Sequence, residues 1–101
     1  MDRVKPHRCR TMAEVRAGVD ALDAEIVALL GQRFRYMEAA ARIKPDRAAV
    51  RDEDRKADVL AKVAGHAEAA DVPAAVAAEL YERLIEASIA YEFERYDALR
   101  S

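Results

Sequence analysis

The sequence predicts an all-α fold with three helices per chain, one long and two of medium length, intertwined with a second copy as a homodimer. Three observations carry this. The composition is 52% hydrophobic and 36% charged, with only three Gly and three Pro, and it leans on the helix formers Ala, Leu, Glu and Arg. An apolar stripe at steps of three and four runs through the first third of the chain without a breaker. No segment alternates with the period of two that marks a strand. A chain of 101 residues suffices for one domain, so residues 12–101 read as a single helical domain behind a flexible tail, residues 1–11.

The first helix begins at Thr11, an N-cap with Glu14 three residues on in the capping-box pattern. Met12, Val15, Val19, Leu22, Ile26 and Leu29 form its stripe, close to a heptad seam. It runs to Lys44, where Pro45 stops it; Gly31 is an isolated cost. Pro45–Val50 is a short connection. The second helix spans Arg51 to Ala69 and buries Val59, Leu60 and Val63. Asp71-Val72-Pro73 is a turn, with Asp71 as N-cap of the third helix and Pro73 in its first turn. That helix carries Val76, Leu80, Leu84, Ile85, Ile89, Phe93 and Tyr96 to near the end.

The length of the first helix predicts the dimer. Thirty-odd residues at the helical rise span roughly 50 Å, whereas a compact 100-residue globule is about 35 Å across. A monomer would leave the apolar stripe in water, and a second copy along it is the remedy.

The bulk numbers exclude several classes. Seventeen Lys and Arg against nineteen Asp and Glu leave a net charge of −2, without the basic excess of a nucleic-acid binder. Cys9 is the one cysteine, so no internal disulfide forms and a reducing compartment fits. No apolar run is long enough to span a membrane, and the first residues lack the apolar middle of a signal peptide; the expectation is a cytoplasmic protein. His7, Cys9 and His66 are too sparse a set for a zinc site, and no metal or other cofactor is expected.

Several polar residues break the helical pattern. Arg33 continues the buried stripe, four residues beyond Leu29. Lys44 follows 11 residues later, a step of about 1,100° and ~16 Å, so both cations leave nearly the same face of the helix. Arg16 lies 17 residues before Arg33, ~25 Å along the axis, and serves a small ligand only in a site on the partner chain. In the third helix Ser88 and Glu92 share a face with Ile85 and Ile89. A carboxylate there is costly unless paired or protonated. Asp52 and Arg55 open the second helix three residues apart; alone they read as a capped terminus with a surface ion pair. Arg33 and Glu92 are also open to blander readings, a snorkelling cation or a buried ion pair that only orients the packing. Together, three helices send polar groups inward with cations in excess, which suits a pocket for a small dicarboxylate. No nucleophile–base pair or Gly-rich phosphate loop is present, so an enzyme built this way works by positioning and electrostatics.

The stretches AEVRAGVDALDAEIVALLGQR, VRDEDR and LIEASIAYE, with Lys44, resemble the all-helical chorismate mutase family, which includes isochorismate-pyruvate lyases. The resemblance covers about residues 12–97. It implies an intertwined three-helix homodimer with two equivalent sites, a place in aromatic amino-acid biosynthesis through the shikimate pathway, and rearrangement of chorismate to prephenate. Residue by residue it implies that Arg16 is donated to the partner's site, that Arg33 grips a substrate carboxylate, and that Lys44 contacts the ether oxygen and a carboxylate. Asp52 and Arg55 match the second-helix motif, and Ser88 a serine near the ring carboxylate. Glu92 stands beside the ether oxygen, where it helps only when protonated, because a carboxylate would repel the developing anion. Lys56 departs from the family, standing where many mutases carry Glu to hold the ring hydroxyl. The short Pro45–Val50 connection is similar to the lyase branch, so isochorismate-pyruvate lyase is the alternative activity. A non-catalytic helical interaction module, favoured by Lys56 alone, is the third reading.

Overall fold

A computed structural model describes residues 3–101. Among them there is no strand, and the three helices are α1 (Met12–Ile43), α2 (Glu53–Ala69) and α3 (Ala74–Leu99). Single 3-10 turns occur at Pro6–Arg8 and Arg47–Val50. The chain divides into a first unit ending at Arg35 and a second, Tyr36–Ser101. None of the helices is long and apolar enough to cross a membrane.

In the first unit α1 starts where its capping chemistry dictates. The Thr11 hydroxyl accepts from the Glu14 amide at 3.2 Å, and the Glu14 carboxylate accepts in return from the Thr11 hydroxyl and the Arg10 amide. These bonds occupy donors that the first helical turn leaves open. The tail contributes the turn Pro6–Arg8 and an ion pair from Arg3 to Glu25 at 2.8 Å. Met12, Val15, Val19, Leu22, Ile26 and Leu29 are all exposed on the single chain.

The second unit holds two apolar clusters. In one, Ala41 near the end of α1 meets Val50 and Tyr96, with Ile89 and Phe93 packed alongside. Ala41 is fully buried, at the centre of this cluster. In the other, Val63 and Ala67 of α2 meet Ala77 of α3, flanked by Val59 and Tyr81. Val76 and Leu80, expected on the apolar side of the third helix, are exposed. Arg47 ties the connection to α3: its guanidinium lies 4.5 Å from the Phe93 ring centroid and pairs with both Asp97 carboxylate oxygens, at 2.9 and 3.2 Å.

Three boundaries differ from the sequence reading. The first helix ends at Ile43, one residue short of Lys44. The second helix starts at Glu53 rather than Arg51, because Asp52 caps it, accepting from the Arg55 amide at 3.0 Å. Asp71 does not cap α3; Pro73 is the N-cap residue and offers no side-chain bond. Asp71 instead closes α2 in the left-handed conformation, φ 57°. The Val72 amide donates to the Ala67 carbonyl at 2.8 Å and the Asp71 amide to Glu68 at 3.3 Å. This is the Schellman closure, in which Gly is the usual left-handed residue. An L-residue is strained there, and an anion at a helix C-terminus opposes the helix dipole. Asp71→Gly is therefore expected to stabilise the fold by about 0.5–1 kcal/mol after the entropy of the unfolded glycine is subtracted. A thermal melt checks it, with a rise of a few degrees expected.

Candidate active site

Glu92 and Ser88 are the buried polar residues among those described, 4% and 3% exposed. Both lie on the face of α3 that also buries Ile85 and Tyr96. Ser88 Oγ donates to the Leu84 carbonyl one turn back, at 2.6 Å, which satisfies a hydroxyl that water does not reach.

Glu92 is answered from the end of α1. Lys44 Nζ lies 2.5 Å from Glu92 Oε2, and the Lys44 side chain stays 28% exposed. The carboxylate is enclosed while the lysine side chain keeps partial contact with solvent. Such a pair is held by direct charge contact, and removing one member strands the other in a poorly solvated place. Beside it, Tyr91 Oη donates to Glu38 Oε2 at 2.6 Å, a second polar tie between α3 and the last turns of α1.

The other expected residues lie as follows. Asp52 is exposed and engaged as the α2 cap. Arg55 meets Asp52 only through its backbone amide; its guanidinium reaches Asp58 at 2.6 Å. The Lys62 ammonium, followed by Arg55, holds the Asp58 carboxyl below the usual carboxylate range. Arg16 is exposed and Arg33 half-buried in the first unit. The structure thus brings Lys44, Ser88 and Glu92 together in the second unit, while Arg16 and Arg33 belong to the first.

Sequence reasoning missed a charged lattice between α2 and α3. Lys56 Nζ bridges Glu82 at 2.6 Å and Glu86 at 2.9 Å, and its side chain is mostly covered, 16% exposed. Arg51 adds bonds to Glu86 at 2.7 and 3.3 Å and to Glu53 at 2.8 Å. Glu82 and Glu86 were findable as a one-turn pair of like charges, but nothing local says that Lys56 lies opposite them. Hydrogen bonds from Arg51 and then Lys56 pull the Glu86 carboxyl down to about 2. The bonds that Lys56 donates to Glu82 and then to Glu86 raise its own pKa. Lys56 is thus engaged by two carboxylates of α3.

The lattice fixes a pH dependence. A carboxyl whose pKa falls on folding stabilises the fold above its unfolded value, 4.5, and that contribution disappears as pH falls toward about 2. Glu86→Gln is expected to melt below the parent protein at pH 7, with the gap closing between those two pH values. Thermal melts from pH 7 to pH 2 check it; a gap constant across the range would remove the charged form of Glu86 as the cause.

Comparison with known proteins adds two findings. The family model for chorismate mutase type II matches residues 15–93. The isochorismate pyruvate lyase of Pseudomonas aeruginosa is 32% identical over 95 residues, covering 94% of this chain and 94% of that protein.

Proposed function

The chain belongs to the chorismate mutase type II family, and from that membership we propose that it is an enzyme rearranging chorismate to prephenate. The supporting observation is the Lys44–Glu92 pair, enclosed on the carboxylate side and partly exposed on the lysine side, with Ser88 one turn away on the same face.

The reaction breaks a C–O bond while a C–C bond forms within one molecule, and it needs no acid, base or covalent step. The protein holds the compact conformer and stabilises negative charge growing on the ether oxygen. In this proposal Lys44 supplies positive charge at that oxygen and a carboxylate, and Arg33 grips a carboxylate. Ser88 lies near the ring carboxylate, and Asp52 and Arg55 complete the α2 side. Glu92 stands beside the ether oxygen and holds the Lys44 ammonium until substrate takes its place. Arg16 comes from a second copy, which also covers the exposed stripe from Met12 to Leu29, giving a homodimer with two sites.

The second reading, isochorismate-pyruvate lyase, is favoured by the name of the Pseudomonas aeruginosa relative. It places the same demand on the site, because the ether C–O bond of an enolpyruvyl group again breaks. Incubation with chorismate and, separately, with isochorismate decides between them: prephenate supports the mutase, salicylate the lyase, and no turnover a non-catalytic helical module.

On the active substrate, Lys44→Met is expected to lower kcat/KM by about 100- to 1,000-fold. Glu92→Gln, which keeps the size of the side chain but removes the charge that orients the Lys44 ammonium, is expected to lower kcat/KM on the order of tenfold. Unchanged kinetics would rule out the role given to Glu92. The shared site has its own test, in which Arg16→Ala and Lys44→Met chains, each inactive alone, are unfolded together and refolded as a mixture. Mixed dimers then hold one intact site in two, and about a quarter of the parent activity is expected to return. No recovery would place Arg16 in its own chain's site or outside both.

A further inference from the structure

The end of α1 carries a defect that its own sequence creates. In a continuing helix the amide of residue 45 would donate to the Ala41 carbonyl, but Pro45 has no N–H. Ala41 is fully buried, and an unanswered carbonyl at such a residue is costly. Arg100, just beyond α3, supplies the missing donor: its Nη1 lies 3.0 Å from the Ala41 carbonyl oxygen. Its Nη2 reaches the Lys44 carbonyl oxygen at 3.1 Å. Nη1 also approaches the Tyr96 carbonyl at 3.3 Å, and the guanidinium lies flat on the Tyr96 ring, 3.5 Å from its centroid. A cation at a helix C-terminus also suits the helix dipole. Only a planar fork spans two carbonyls and stacks on a ring at once.

We propose that Arg100 is a positioning residue for Lys44, locking its main chain so that the ammonium stands where the reaction needs it. The inference rests on the role given to Lys44 above. Lys44 is gripped at both ends, at its carbonyl by Arg100 and at its ammonium by Glu92. When substrate draws the ammonium away from Glu92, the Arg100 grip is the one that persists. Losing it leaves the charge but frees the stem, and a small misplacement of a catalytic group costs rate far more than binding.

Arg100→Gln, Arg100→Lys and Arg47→Gln test the proposal in the full chain. Arg47→Gln is the control, since Arg47 makes a comparable exposed ion pair and ring contact nearby without touching Lys44. Kinetics on whichever substrate the parent turns over are read with thermal melts and amide hydrogen exchange. Arg100→Gln is expected to lower kcat on the order of tenfold with a smaller change in KM. Arg100→Lys, which restores a charge and one donor, is expected to recover part of that loss, and Arg47→Gln to stay within about twofold of the parent. The Lys44 amide, bonded to Ala40 at 2.9 Å, is expected to exchange on the order of tenfold faster in Arg100→Gln, with α2 amides unchanged.

An unchanged kcat in Arg100→Gln overturns the proposal. So does an equal loss in Arg47→Gln, or a loss that follows only the unfolded fraction. Should Arg100→Gln fail to fold, Arg100→Lys decides by the same two readouts. A parent protein inactive on both substrates defeats the functional reading and the kinetic consequence with it, while the exchange of the Lys44 amide still decides whether Arg100 holds that residue.

Discussion

A carboxylate almost shut off from water has to find a cation, and Glu92 finds it in Lys44. Much of the second unit follows from that requirement. The two residues are 48 positions apart, so the end of α1 must be drawn down onto α3. Ala41, fully buried, packs there with Val50 and Tyr96. Tyr91 and Glu38 pin the preceding turn, and Arg100 seals the carbonyls that Pro45 leaves open. Each contact is modest, but all restrict the same few residues, which is how a long flexible side chain comes to have a defined place.

The lattice of Arg51, Lys56, Glu82 and Glu86 is of another kind. Its members are largely exposed apart from Lys56, so salt and solvent screen them. Its effect is to orient more than to stabilise: it ties the first turn of α2, which carries Asp52 and Arg55, to the middle of α3, two residues before Ser88. Lys56 is drawn into that scaffold. A glutamate at the same position would face two carboxylates on α3 and repel them, so Lys56, Glu82 and Glu86 have to be understood as one unit.

The sequence made legible whatever depends on neighbours along the chain. Thr11 and Glu14 mark the start of α1, Pro45 marks its end, and the period of the apolar stripe sets its face. Ser88 and Glu92 emerge as exceptions on a buried line. What stayed hidden depends on partners far away or on turn geometry with two solutions. Asp71 is equally plausible as the cap of the next helix and as the left-handed end of the last one; the Ala67 carbonyl settles the matter, and no local pattern announces it. Arg100 carries no local signal at all: the acceptor it answers, left open by Pro45, lies 59 residues away.

The tight junction between α2 and α3 has a consequence for the order of events in folding. Those helices are joined by a short turn and meet through residues close in sequence, such as Ala67 and Ala77. Closing a small loop costs less entropy than closing a large one, and local contacts form first. The hairpin of α2 and α3 can therefore assemble before the end of α1 docks, presenting Glu92 on a formed surface before its cation arrives. The last step that buries Glu92 is then also the step that gives it its cation, so a chain halted just short of the native state keeps most of its helix and leaves that carboxylate unpaired.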